Sequence, residues 1–280
     1  MSTALAASWL RRVPAELAAG AGLLLALALL ALLVPAATRD PAEIDLYARF
    51  APPLAPGHLL GADHLGRDLL ARAAAGTQWS LAVAAGATVL AAALGTLLGL
   101  WAAASRGVGR RVLLQVVNLI LSFPSLIAAM ALIAIVGQGY ATLVLVLGAI
   151  TSPVFARVVY AESLALLERD YVAAARTFGV SRARMFARHV LPGLRPSLLA
   201  VGAFHFADML VAETALSFLG VGAPIDTATW GNMLSDARSY LFQAPWMLLV
   251  PAGAMIAAVL CATLLGDGLS RRLRAREWTR

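Results

Sequence analysis

Six long apolar runs set the limits on what this chain can become. They fall at about residues 15–35, 79–104, 112–136, 140–156, 197–219 and 246–266. A hydrocarbon core about 30 Å thick is crossed by a helix of about 20 mostly apolar residues. The run at 140–156 is the shortest and contains Pro153, so its ends are the least defined. The chain is 61% hydrophobic and 13% charged, against about 25% charged in soluble domains. That leaves too little polar surface to cover a water-soluble fold. The expected fold class is all-α integral membrane, with six transmembrane helices.

Arginine placement orients those helices. With the N-terminus inside, seventeen of the twenty-two arginines fall in inner segments and five in outer ones. Such a split is a strong positive-inside signal and puts both termini in the cytoplasm. The first run follows Arg11 and Arg12. It is longer than the h-region of about 7–15 residues in a signal peptide and lacks a clean cleavage site, so it reads as an uncleaved anchor. Three regions result: a tail, first span and long extracytoplasmic segment (1–78), a five-helix core (79–270) holding a cytoplasmic loop at 157–196, and a basic tail (271–280). Outer residues 36–78 and 220–245 are long enough to cap a pore or meet a partner, or to be plain connectors. Gly137-Gln138-Gly139 reads as a tight outer turn.

Every basic residue is arginine, and there is no lysine. A P-loop needs a lysine to reach the phosphates. If ATP drives this chain, another subunit must bind the nucleotide and its Mg, and this chain binds no cofactor. Lysine Schiff-base chemistry is excluded too. The net charge of +7 does not argue for nucleic acid, because the arginines sit at the ends of apolar spans. Cys261 is the one cysteine, so no intrachain disulfide is possible.

The loop at 157–196 holds seven arginines. Ser163 to Phe178 reads as helix, and Gly179 breaks it. Ser181 then suits the N-cap of a second helix bearing Arg182, Arg184 and Arg188. Pro192 and Pro196 are expected to close the element. Small residues at Ala173, Ala174 and Ala175 allow another surface to approach, while Arg176 and Arg182 can meet its carboxylates. The alternative is an ordinary positive-inside loop.

This loop resembles the EAA loop of bacterial ABC-transporter permeases. Ala174, Ala175, Gly179, Leu191 and Pro192 fall on that pattern at its spacing. Ala173 stands where the family has Glu, which removes the Glu from the argument but leaves the docking shape. The resemblance covers nearly the whole chain. Leu60-Gly61-Ala62-Asp63-His64-Leu65-Gly66-Arg67-Asp68 is similar to a segment of the dipeptide/oligopeptide/nickel permeases. Ala215 to Gly220, Trp230 to Leu234, Ala244 to Trp246 and Leu265 to Leu269 match further motifs in the same order. Order and topology are those of the "C" type of permease subunit. The resemblance implies an ABC importer type I permease fold in a bacterial inner membrane. It also implies a second permease subunit, two ATPase subunits and an extracytoplasmic solute-binding protein. Peptides are the expected solute, with nickel or a metal chelate as the alternative.

Polar residues inside spans are costly and mark pathways or helix networks. The fifth run holds His205, Asp208 and Glu213, with His205 and Asp208 on one helix face. These residues, with Asn118 in the third run, are candidates for the pathway or the subunit interface. A structural network between helices is the other reading. Phe123-Pro124 is expected to kink the third span. Gly95 and Gly99 form a G-x-x-x-G that permits close helix contact. His58, Asp63 and His64 are too loosely patterned for a metal site, and none is assigned. No catalytic constellation argues for an enzyme. A secondary transporter with His205, Asp208 and Glu213 as a proton relay is the competing class, but no clear internal repeat supports it.

Overall fold

The computed structural model describes residues 15–38, 40–170, 172 and 180–277. Helix α1 spans Ala15–Ala37, α2 Leu69–Ala104, α3 Val108–Ser122, α4 Ser125–Val136 and α5 Tyr140–Leu167. A short α6, Arg182–Met185, runs through a π turn, Phe186–Val190, into α7, Leu191–Phe218. In the second outer segment lies α8, Trp230–Ala237, and α9 spans Trp246–Glu277. Among the described residues there is no strand, only isolated bridges pairing Ala55 with His58 and Ala62 with Asp68. Five helical segments are long and apolar enough to cross a bilayer, and the bent pair α3–α4 makes a sixth.

Three expectations need correction. The third span does more than kink: α3 and α4 meet at 90°. Phe123 is extended (φ −90°, ψ 138°), because a residue before proline is pushed out of the helical region. The fourth span does not stop at 156 but continues to Leu167 as part of the most enclosed helix. Pro153 cannot donate to the carbonyl of Ala149, and Ser152 Oγ fills that acceptor at 2.8 Å. Finally, Pro192 and Pro196 do not close the cytoplasmic element, since both lie inside α7. Pro192 lies in the first turn of α7, directly after the π turn in which the Leu191 N–H reaches back to Phe186 O, a wider register used at bulges.

The core is the seam between α2 and α5, the most extensive helix pair. A Cβ at Gly95 would meet Phe155 Cβ and Ser152 O, and one at Gly99 would sit 2.7 Å from Ala156 O. From the other side, Gly148 lies against Leu90. The G-x-x-x-G therefore serves a contact within the chain. α1 rests on α9 in the same manner, with Gly20 against Cys261 and Leu265 and Gly268 against Leu17. An ion pair of 2.8 Å between Glu16 and Arg271 joins the cytoplasmic ends of these two helices.

The two outer segments are not plain connectors but fold against each other. Asp63 is the pivot: its Oδ1 accepts the N–H groups of Leu65 (2.8 Å) and Arg67 (3.0 Å). Its Oδ2 meets Arg67 Nε at 2.6 Å and Arg72 Nε at 3.6 Å. Both arginines also reach Asp236 of α8, at 3.2 and 3.5 Å. Asp68 caps α2 through the Ala71 N–H and holds His58 Nδ1 at 3.1 Å. Gly66 (φ +77°) lies so close to Asp45 O that any side chain would collide. Trp246 at the start of α9 donates to Ala62 O at 3.2 Å. The turn at Gly137-Gln138-Gly139 joins in, with Gln138 Nε2 donating to Gly220 O at 2.6 Å.

Gly95→Leu should overpack the seam at a cost of about 1–3 kcal/mol or more. The expected outcome is a clear fall in detergent melting temperature, with Gly202→Ala near neutral because nothing lies within 4 Å of that position. Asp63→Ala leaves the 2%-exposed Arg72 side chain without its inner partner. Removing one member of such a buried set costs about 3–5 kcal/mol. Limited proteolysis in residues 40–68 should accelerate, and an unchanged digestion pattern would show that the network holds nothing in place.

Candidate functional site

Of the expected docking residues, Ala173, Ala174, Ala175, Arg176 and Gly179 lie outside the described residues. The helix expected from Ser163 to Phe178 does not run through: Ser163 is buried in the inner end of α5, which stops at Leu167 with a turn at Glu168 and Arg169. Ser181 occupies the N-cap position of α6 in extended geometry but makes no side-chain cap bond. From Arg182 to Phe218 the helical path is unbroken. Its inner part has two sides. Met185, Val190 and Leu194 are buried, the latter two packing with Val159 and against Leu100 and Leu166. Arg182, Arg184 and Arg188 are exposed. Leu191 is half-buried and Pro192 exposed at the junction. The element is thus a basic surface mounted on the inner ends of α2 and α5.

The three candidates His205, Asp208 and Glu213 of α7 do not gather at one point. His205 turns into the helix bundle, with Nε2 3.0 Å from Thr151 Oγ1 and its ring edge-on to Phe155 at 5.0 Å. Glu213 is fully buried and accepts a hydrogen bond of 3.0 Å from Ser217 Oγ. Ser217 Oγ in turn accepts the Ala223 N–H at 3.1 Å, tying the outer loop to the helix. Only Asp208 is exposed on this chain. Three residues turn about 60° short of a full circle, so His205 is buried and Asp208 exposed, while the two stay close enough to interact electrostatically. A continuous relay through the three is not formed.

The loop after α7 is fastened by side chains of the Trp230 to Leu234 motif, to which the sequence alone assigned no contacts. Trp230 is fully buried and donates to Thr77 Oγ1 at 3.3 Å. Thr229 caps α8 through the Asn232 N–H, and Asn232 Nδ2 donates to Pro224 O (2.8 Å) and Thr227 O (2.9 Å). Gly231 abuts Thr214 O and Ser217, which brings α8 against the outer end of α7. Asn118 is exposed on α3 and accepts a bond of 3.0 Å from Arg157 Nη2 on α5. Arg157 had counted only toward the inner charge. The uninterrupted helical run past residue 156 is the signal that could have placed it on the span rather than in a loop. Likewise Arg67 and Arg72, two of the few arginines on the outer side, stand beside Asp63 and Asp68, a pairing readable in advance.

Asp63, His64 and Asp236 also present ligand atoms within 4.8 Å of one another. Both carboxylates there are already engaged by Arg67 and Arg72, so the charge is balanced within the protein. His58 belongs to a different contact, with Asp68.

Comparison with known proteins places this architecture. Residues 95–275 match the family described as binding-protein-dependent transport system inner membrane component. A Brucella suis biovar 1 protein, provisionally named a peptide transport system permease, is 38% identical over 251 residues, covering 89% of this chain and 84% of that protein. A provisionally named peptide permease of Brucella ovis is 38% identical over 231 residues, covering 82% and 76%. The glutathione transport system permease of Pectobacterium atrosepticum is 35% identical over 212 residues, covering 76% and 70%. The described helices and these matches agree: the chain belongs to the family of binding-protein-dependent inner-membrane transport components, the permease subunits of ABC importers.

Proposed function

We propose that this chain forms one half of the pathway of a peptide importer and takes its drive from ATPases on partner subunits. The observation that carries this is the inner element. Exposed Arg182, Arg184 and Arg188 sit on a helix whose other side is packed on α2 and α5. A partner pushing on that surface moves α7 with it, because the π turn joins the two without a gap. The residues Ala173 to Gly179 complete the docking surface. With no lysine in the chain, ATP and Mg are bound by two ATPase subunits. A second permease closes the pathway, and an extracytoplasmic binding protein delivers the solute. The names of the relatives, peptide and glutathione permeases, support peptides as the solute class.

Asp208, exposed on α7, and the Asn118–Arg157 pair are among the polar groups in the spans that face away from this chain's own core. Charged groups facing lipid cost about 2.5–3.5 kcal/mol at mid-span, so these surfaces line the pathway or meet the second permease.

The test is binding-protein-stimulated ATP hydrolysis by the complete complex in liposomes. Arg182→Glu with Arg184→Glu, and separately Gly179→Pro, should cut the stimulated rate about tenfold, within the usual range of coupling between sites, while all subunits still co-purify. Transport by this chain under a proton gradient alone, with no ATPase bound, would reject the reading.

A further inference from the structure

The α7 surface that this chain leaves uncovered has a pattern. Phe204, Asp208, Val211 and Phe218 are all exposed, although one side of the Phe204 ring rests on Gly266 of α9. Their steps of four, three and seven residues place them on one face of the helix, and half-buried Ala215 fills the remaining position. Asp208 is the one charge in that stripe. It lies ten residues from the outer end of α7 at Phe218, about 15 Å along the axis and so near the middle of a core about 30 Å thick. Among the described residues it makes no hydrogen bond and no ion pair. Its neighbour His205 is close enough to feel that charge but makes no ion pair with it, since its Nε2 lies 3.0 Å from Thr151 Oγ1 inside the bundle.

A carboxylate without an ion-pair partner at that depth rests against lipid only at a cost that the nearby His205 ring does not remove. We propose that Asp208 receives the free α-ammonium group of the solute halfway along the pathway, so that this permease favours peptides with an unblocked N-terminus. This rests on the peptide-importer reading. The chemistry of the stripe fits that solute class. Phe204, Val211 and Phe218 offer no hydrogen-bonding side chains, so they tolerate varied side chains, while one anion fixes what all free peptides share. A single charge without a second clamp also holds a solute weakly enough to release it, as passage through a pore requires.

The experiment compares uptake of free and N-acetylated trialanine by proteoliposomes holding the complete complex. Wild type is set against Asp208→Asn and Asp208→Glu, each with the same binding protein. Any preference of the binding protein cancels when the free-to-acetylated ratio is compared between variants. Asp208→Asn should lower that ratio about five- to tenfold, the scale of one partly solvated ion pair. Asp208→Glu should keep most of the wild-type ratio. An unchanged ratio in an assembled, transporting Asp208→Asn complex overturns the assignment while leaving the importer reading intact. Loss of co-purification with the second permease in Asp208→Asn, but not in Asp208→Glu, also overturns it, because the carboxylate then pairs with a cation of that subunit. A wild-type complex that takes up neither peptide removes the peptide reading and this assignment together.

Discussion

Lipid tails are as apolar as leucine, so the hydrophobic effect does not press helices together in a membrane. What holds this chain together is close approach, and it begins where α2 meets α5. Gly95 and Gly99 remove the bulk between the two backbones, and Gly148 does the same from the other side. The contact also dictates how α5 copes with its proline. Ser152, whose carbonyl lies under Gly95, turns its hydroxyl to Ala149 O, the acceptor that Pro153 leaves empty. One short stretch thus supplies both the tight seam and the repair of the helix that forms it. The other helices depend on this pair. α7 reaches α5 through His205 and Thr151, and the outer loop reaches α2 through Trp230 and Thr77.

Much of this was legible in the sequence, for a physical reason. Crossing a bilayer demands length and apolarity, and both are properties of a run of residues. So the spans, their orientation and the family motifs could be read directly. What could not be read depends on neighbours far along the chain. Phe123-Pro124 announces a kink, but a bend of 90° is set by what α3 and α4 each pack against. Pro192 reads as a stop signal, yet it lies in the first turn of α7, with Val190 and Leu194 held on both sides of it by a shared apolar cluster. His205 and Asp208 differ by one step around the helix, and only the position of α5 decides which of them is inside. Asp236 had no local signature at all: its meaning comes from Arg67 and Arg72, more than 160 residues earlier. The residues Ala173 to Gly179 carry the family pattern in sequence but lie outside the described structure, so that part of the docking surface stands on the resemblance.

Polar contacts on α7 are divided by depth. At the inner end the holds are apolar, at Val190 and Leu194. At mid-span Thr151 of α5 is the hold, through His205 Nε2 at 3.0 Å and Met209 Sδ at 4.0 Å. At the outer end Glu213, Ser217 and the Ala223 N–H form a chain that fixes the loop. All three grip the side of α7 that faces its own chain. The opposite stripe, with Asp208 in it, is left to something else. A helix held along one side over its whole length cannot slide or turn independently of its block without breaking each hold in turn.

That argues for the form of motion as well as its source. On the proposed reading, force enters at the arginines of α6 and must reach a stripe about four turns or more away. The rigid path is α7 itself, fixed to α5 at two depths and to the outer loop at the third. Packed interfaces switch between discrete arrangements rather than deform continuously, so the natural response is movement of α2, α5 and α7 as one body. The π turn at Phe186–Val190 lies where that body meets the docking surface. Wider helical turns of this kind recur at functional sites, and here the turn is the one place along the path from α6 to Phe218 where the hydrogen-bond register already departs from α. Small differences between the docked and free geometry of α6 can be absorbed there, while everything beyond Leu191 turns together and carries Asp208 with it.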